Sequence, residues 1–216
     1  VLYSNNFNGA EFAAAGVSTL YQNAAETGGQ LVSTSGDNAG MLVDLSTFDL
    51  MNDDSVTAVK VTAVSYRSQN WQTVGFATQT DWFHPDTING KGHSPYYWMP
   101  QGELRSGTGH FSGGTEWDGP DVPGNQENTV ELTFYKNTSS TTDDTATVVV
   151  NGATMFDQQV LEYGTDGTAN LAGVQLVLGN DTDQYFDSVV VEIIPEPATL
   201  GLFSVVGASI CSFVEL

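Results

Sequence analysis

The side chains that can do chemistry are concentrated between Asp81 and Gly124, a segment rich in Gly, Pro, His and aromatic residues. Within it Glu116, Asp118 and Asp121 stand in the spacing E-x-D-x-x-D. Two carboxyls about 5 to 5.5 Å apart on one sheet face suit a retaining glycoside hydrolysis, one as nucleophile and one as acid/base. That chemistry needs the motif on a continuous strand, and Gly119-Pro120 interrupts it. With 26 acidic residues in the chain such a spacing also arises readily by chance, so the expectation is a solvated acidic turn in a protein that is not an enzyme. Trp82, Tyr96, Tyr97, Trp98 and Trp117 offer rings that stack on sugars, with Asp81, Glu103, Arg105 and Asp118 to bind hydroxyls. The glycan-binding set read from this segment is Trp82, Tyr96, Trp98, Trp117 and Asp118. The plainer alternative is that Tyr96 and Trp98, sharing one face of a short strand, belong to the core.

Metal and modification chemistry is weaker in the sequence. His84, His93 and His110 are widely spaced and lack a Cys partner, which argues against zinc. Calcium takes carboxylate and carbonyl oxygens and would offset part of the charge; Asp187 is the candidate ligand, and Asp143-Asp144 and Asp181-Asp183 are acidic turns. Asn137 and Asn180 each head an Asn-x-Ser/Thr sequon and are candidate glycosylation sites. There is no nucleophile-elbow motif and no Gly-rich loop that would cradle a phosphate ahead of a helix.

These residues need a scaffold, and the composition supplies one. The chain has 216 residues, 40 % hydrophobic and 11 % aromatic, enough to bury a core. Its net charge is −21, and its five cations, Lys60, Arg67, Lys91, Arg105 and Lys136, are scattered. Nucleic acid and anionic membrane surfaces are therefore excluded as partners of the body. The single cysteine, Cys211, cannot form an intrachain disulfide. No signal segment precedes Val1, and the expectation is that any leader has been removed.

Short runs with period-two alternation predict strands over Ser55–Ser65, Trp71–Gln79, Thr129–Lys136, Thr145–Val150, Leu171–Leu178 and Tyr185–Ile194. Weaker strands are predicted at Leu2–Phe7, Gln30–Thr34 and Met41–Asp44, with Tyr96–Met99 and Gly102–Ser106 as a further hairpin. Asn151-Gly152 predicts a two-residue hairpin, and Glu11–Ala15 one helical turn. The fold class is all-β, a two-sheet antiparallel sandwich over residues 1–194, followed by an appendage over 195–216.

In that appendage Pro195-Glu196-Pro197 precedes Ala198 to Val214, 17 residues without a charge. A helix of that length reaches only the lower limit for a membrane span. Leu200, Leu202, Val206, Ile210 and Val214 also share one parity, as an edge-pairing strand between subunits would require. A head-to-tail pairing of that kind does not close and gives a filament.

The string Pro-Glu-Pro-Ala-Thr-Leu-Gly-Leu resembles the PEP-CTERM sorting signal of Gram-negative bacteria, although Glu215 stands where that family carries a basic tail. The resemblance implies export to the cell surface or extracellular matrix and processing by an exosortase. The preceding domain resembles the concanavalin A-like (laminin-G-like) jelly rolls, through Leu2-Tyr3-Ser4-Asn5-Asn6-Phe7, the pair TVELTFYKN and TATVVVNG, and YFDSVVVEI from Tyr185. This implies a jelly roll whose first and last strands are neighbours. The expected function is an exported, non-enzymatic structural protein that is anchored or self-assembles through its tail. The alternative is a carbohydrate-binding module using loops 81–124 on extracellular polysaccharide, with a glycoside hydrolase as the third reading.

Overall fold

The computed structural model describes residues 1–9, 11–13, 18–68, 70–77, 95–106, 115–136, 144–161, 171–179 and 182–195. The first eight strands are β1 (Tyr3–Asn5), β2 (Glu11–Ala13), β3 (Ser18–Gln22), β4 (Ala24–Thr27), β5 (Gln30–Ser33), β6 (Ala39–Asp44), β7 (Val56–Arg67) and β8 (Gln72–Ala77). They are followed by β9 (Tyr96–Met99), β10 (Glu103–Ser106), β11 (Thr115–Trp117), β12 (Gln126–Tyr135), β13 (Thr145–Val150), β14 (Ala153–Val160), β15 (Gly173–Leu178) and β16 (Tyr185–Pro195). One sheet has nine strands in the order β14-β13-β12-β7-β16-β1-β2, with β5 also on β16 and β4 on β5. The other has seven, in the order β11-β10-β9-β8-β15-β6-β3. First and last strands pair antiparallel, Tyr3 opposite Val191, as the jelly-roll resemblance implies.

Alternation in the sequence becomes apolar rows in space. In the nine-stranded sheet Val148, Leu132, Val61, Val191 and Tyr3 lie side by side across five strands, all fully buried. In the seven-stranded sheet Met41, Leu176, Val74, Tyr97 and Leu104 form the matching row. The two rows face each other and make the core, at about 1.5–3 kcal/mol per large side chain removed from water. Phe76 meets Phe134 edge-on across the gap, ring centroids 6.2 Å apart.

The Asn151-Gly152 turn has φ of 52° and 80°, both positive as the sequence requires. Asn151 closes it from outside: its Oδ1 accepts from the Thr129 N–H at 2.9 Å and its Nδ2 donates to Asn128 at 2.9 Å. One expectation is corrected. Glu11–Ala13 is not a helical turn but a strand, paired to the outer edge of β1 with Tyr3 opposite Ala13. An open strand edge offers a row of backbone donors and acceptors, and that pairing overrides the helix preference of alanine.

Phe134→Ala should remove the cross-sheet contact with Phe76 and lower the unfolding free energy by about 3–5 kcal/mol, measured by urea denaturation.

Candidate functional site

Because Val74, Phe76, Tyr97, Met99, Leu104 and Leu176 point into the core, their sequence neighbours must point the other way. Two rows result on the outer face of the seven-stranded sheet. One runs Leu42, Gln175, Gly75, Tyr96, Arg105, Glu116; the next runs Gly40, Val177, Thr73, Trp98, Glu103. Glycine is required at position 75, since a Cβ there would lie 2.2 Å from the Cβ of Tyr96.

At one end of the rows an ion pair and an aromatic pile share a residue. The Trp98 ring stacks on Trp71 at 4.7 Å, and on the β10 side the Arg105 Cζ sits 4.7 Å from the Trp98 ring centroid. Arg105 Nη2 donates to Glu103 Oε2 and lies 3.3 Å from Glu116 Oε2. Carboxylate oxygens of Glu103, Glu116 and Asp118 gather within 4.8 Å of one another. Three hard oxygen ligands suit calcium. Arg105 already bonds two of the three, however, so a cation would have to compete with the guanidinium.

From its centre to the β10 end the face is polar, buried and unsatisfied. Thr73 is 0 % exposed, Gln175 1 % and Arg105 6 %. The Thr73 hydroxyl, both side-chain atoms of Gln175, and Nε and Nη1 of Arg105 have no hydrogen-bond partner. Each such group costs about 1–3 kcal/mol relative to a satisfied one, so their concentration on one face calls for an explanation beyond stability. The rows open to solvent at the β11 edge, where Glu116 and Asp118 are exposed.

The residues singled out in the sequence separate. Tyr96 and Trp98 share a face, as expected, and both are buried, at 4 % and 5 %, but on the face turned away from the inter-sheet core, where Trp98 is held between Trp71 and Arg105. Tyr97 and Met99 take the core instead. Trp117 is opposite Leu104 and packs against the core, so it leaves the glycan-binding set. Asp118 joins Glu116 and Glu103. Asp121, the third acid of the motif, acts electrostatically on Arg67 instead; burial holds that guanidinium below its ordinary pKa, and Asp121 works in the opposite direction. Asp187, half-buried at a bulge in β16, is in no such grouping among the described residues. Trp82, the three histidines, Asn137, Asn180, Glu196, Pro197 and the tail positions Leu200, Leu202, Val206, Ile210 and Val214 lie outside the described residues. Among the described residues no helix is long and apolar enough to cross a membrane.

Thr73, Gly75 and Gln175 went unnoticed in the sequence. The one available signal was a glutamine amid the apolar run Leu171–Leu178. Two other features compete less well. A pocket of about 250 Å³ beside Phe48, Leu50, Met51 and Leu171 has Ser46 and Asp49 as its polar side chains, both exposed, and Asp49 already accepts from Asn52. On the nine-stranded sheet Tyr66 and Tyr185 stack at 5.1 Å, with Tyr185 donating to Glu127 at 3.2 Å. The Tyr185 phenol is raised above its ordinary pKa, first by burial and then by Glu127, and its hydroxyl is already partnered.

No family model matches the chain, and no curated protein matches it. Solved structures do. The alginate lyase Aly36B superposes with TM-score 0.55 at 14 % identity, over 89 % of this chain and 96 % of that one. The carbohydrate recognition domain of Emp46p, in its potassium-bound form, gives 0.54 at 10 % identity, over 81 % and 87 %. That of Emp47p gives 0.53 at 13 % identity, over 88 % and 95 %. At such identities the likeness is one of fold: this chain is an all-β jelly-roll sandwich.

Proposed function

We propose that the chain is a carbohydrate-binding module and that its ligand lies on the outer face of the seven-stranded sheet. One observation carries the proposal: Thr73, Gln175 and Arg105 place buried hydrogen-bonding groups without partners in adjacent rows of that face. Sugar hydroxyls donate and accept at once, and a threonine hydroxyl, a carboxamide and a guanidinium beside a carboxylate offer the complementary mixture. The face meets solvent at Glu116 and Asp118, whereas Thr73 and Gln175 are 0 % and 1 % exposed, so a ligand entering at that edge reaches them only by displacing the groups that shield them. The recognition domains of Emp46p and Emp47p share the fold and support the reading by analogy alone.

The reading is of binding without turnover. Arg105 bridges Glu103 and Glu116, which supports a binding role for this pair over a hydrolytic one. We further propose, from the resemblance of Pro195-Glu196-Pro197 and the apolar run after it, that the module is exported to the surface or matrix. Deleting residues 195–216 should then change its distribution between cell envelope and medium in fractionation; unchanged distribution counts against export through this segment.

In pull-downs against a panel of insoluble polysaccharides, the protein should be retained by at least one and should release no reducing ends. Gln175→Met should abolish retention while raising stability by about 1–2 kcal/mol, because it removes an unsatisfied buried amide. Retention by none, or a destabilised Gln175→Met protein that still binds, would sink the reading. Arg105→Met should destabilise by about 3–5 kcal/mol, read by thermal and urea denaturation, since it leaves Glu103 buried without its cation.

A further inference from the structure

Resting on the carbohydrate reading, we infer that the ligand of this face is an uncharged glycan, built from neutral hexose or pentose units, and that polyuronates are rejected. Arg105 is the one cation on the face among the described residues. Lys60 lies on the other sheet between Glu131 and Glu192, Lys136 donates to the carbonyls of Leu50 and Asp53, and Arg67 donates to Asn70 and Val122. Lys91 is outside the described residues.

The single positive charge of Arg105 is already outweighed. It meets Glu103 and Glu116 directly, and Asp118 brings a third carboxylate into the same cluster. A ligand carboxylate arriving at the open edge therefore meets an excess of negative charge, on a chain whose net charge is −21.

The neutral groups point the same way. Gln175 offers both a donor and an acceptor without partners, and the Thr73 hydroxyl can act as either. A sugar hydroxyl satisfies both ends of the amide, donating to Oε1 and accepting from Nε2. A carboxylate only accepts, so it would leave the Gln175 oxygen facing another oxygen. Nε and Nη1 of Arg105 remain as donors for hydroxyl oxygens beside Glu103, which accepts.

The test uses the full chain and matched ligands: neutral β-1,4-linked hexans and the same polymers oxidised at C6 to uronates, compared by affinity electrophoresis across a salt series. The neutral member should bind at least about tenfold more tightly at low ionic strength, and the gap should narrow as salt screens the cluster. Glu116→Gln combined with Asp118→Asn should narrow it severalfold at low salt. Equal or tighter binding of the uronates would overturn this inference while leaving the carbohydrate reading standing. Binding of neither member of any pair would overturn the carbohydrate reading itself, and this inference with it.

Discussion

The constraint on which everything else depends is the two-residue period of the seven-stranded sheet. Tyr97, Met99, Leu104, Val74 and Leu176 fill one side of the sandwich, and their burial fixes the register of β8, β9, β10 and β15 together. Once that register is set, Thr73, Tyr96, Trp98, Glu103, Arg105 and Gln175 have no choice of side. A slip of one residue in β9 would send Tyr97 outward and Trp98 into the core. The outer face is thus positioned by apolar contacts that none of its own residues makes, which suits a site built on rigid strands.

Within that frame Arg105 organises the edge of the face. Its guanidinium lies against Trp98 and bonds Glu103 and Glu116, so the aromatic pile, the buried carboxylate and the exposed carboxylate are held through one side chain. A carboxylate as buried as Glu103 would be costly without such a partner. Asp144, 1 % exposed, is the other buried acid among the described residues, and the exposed acids need no such device. Asp53, fully exposed, caps its own turn, its carboxylate accepting from Ser55 through the side-chain hydroxyl and the backbone N–H and held below its ordinary pKa by those bonds. At Lys60 burial opposes the charge, yet Glu192 and Glu131 raise the ammonium pKa on balance. The acidic chain is therefore mostly solvated, and concentrated negative charge with a buried member arises at the Glu103 cluster.

Much of the fold was legible. Ser55–Ser65, Thr129–Lys136, Thr145–Val150 and Tyr185–Ile194 alternate cleanly because each has one face in the core, and they correspond to β7, β12, β13 and β16. β2, β3 and β4 were not legible, being short or partly exposed strands held by edge pairing, with little alternation to mark them. The site was half legible. The segment Asp81–Gly124 stands out for its aromatic and charged residues, but parity alone cannot say which of two adjacent aromatics faces the inter-sheet core: Tyr97 does, and Tyr96 and Trp98, whether read as glycan-stacking rings or as core, take the other face. Gln175 escaped because the apolar run around it reads as a strand buried on both faces, and its neighbours on the sheet, Leu42 and Gly75, come from distant parts of the sequence.

The jelly-roll frame itself says little about ligand, since alginate lyase Aly36B and the Emp46p recognition domain both superpose on it at low identity. On a shared frame, a ligand is set by the side chains that the core leaves over for the outer face. Here that set combines a glycine that lets Tyr96 lie close to β8, an arginine already committed to carboxylates, and an amide and a hydroxyl without partners. Apolar residues at Thr73 and Gln175 would satisfy the fold at lower cost, because β-branched or long aliphatic side chains fit the same strand positions. Their polarity is a cost to folding, and a ligand whose hydroxyls complete their hydrogen bonds would offset it on binding.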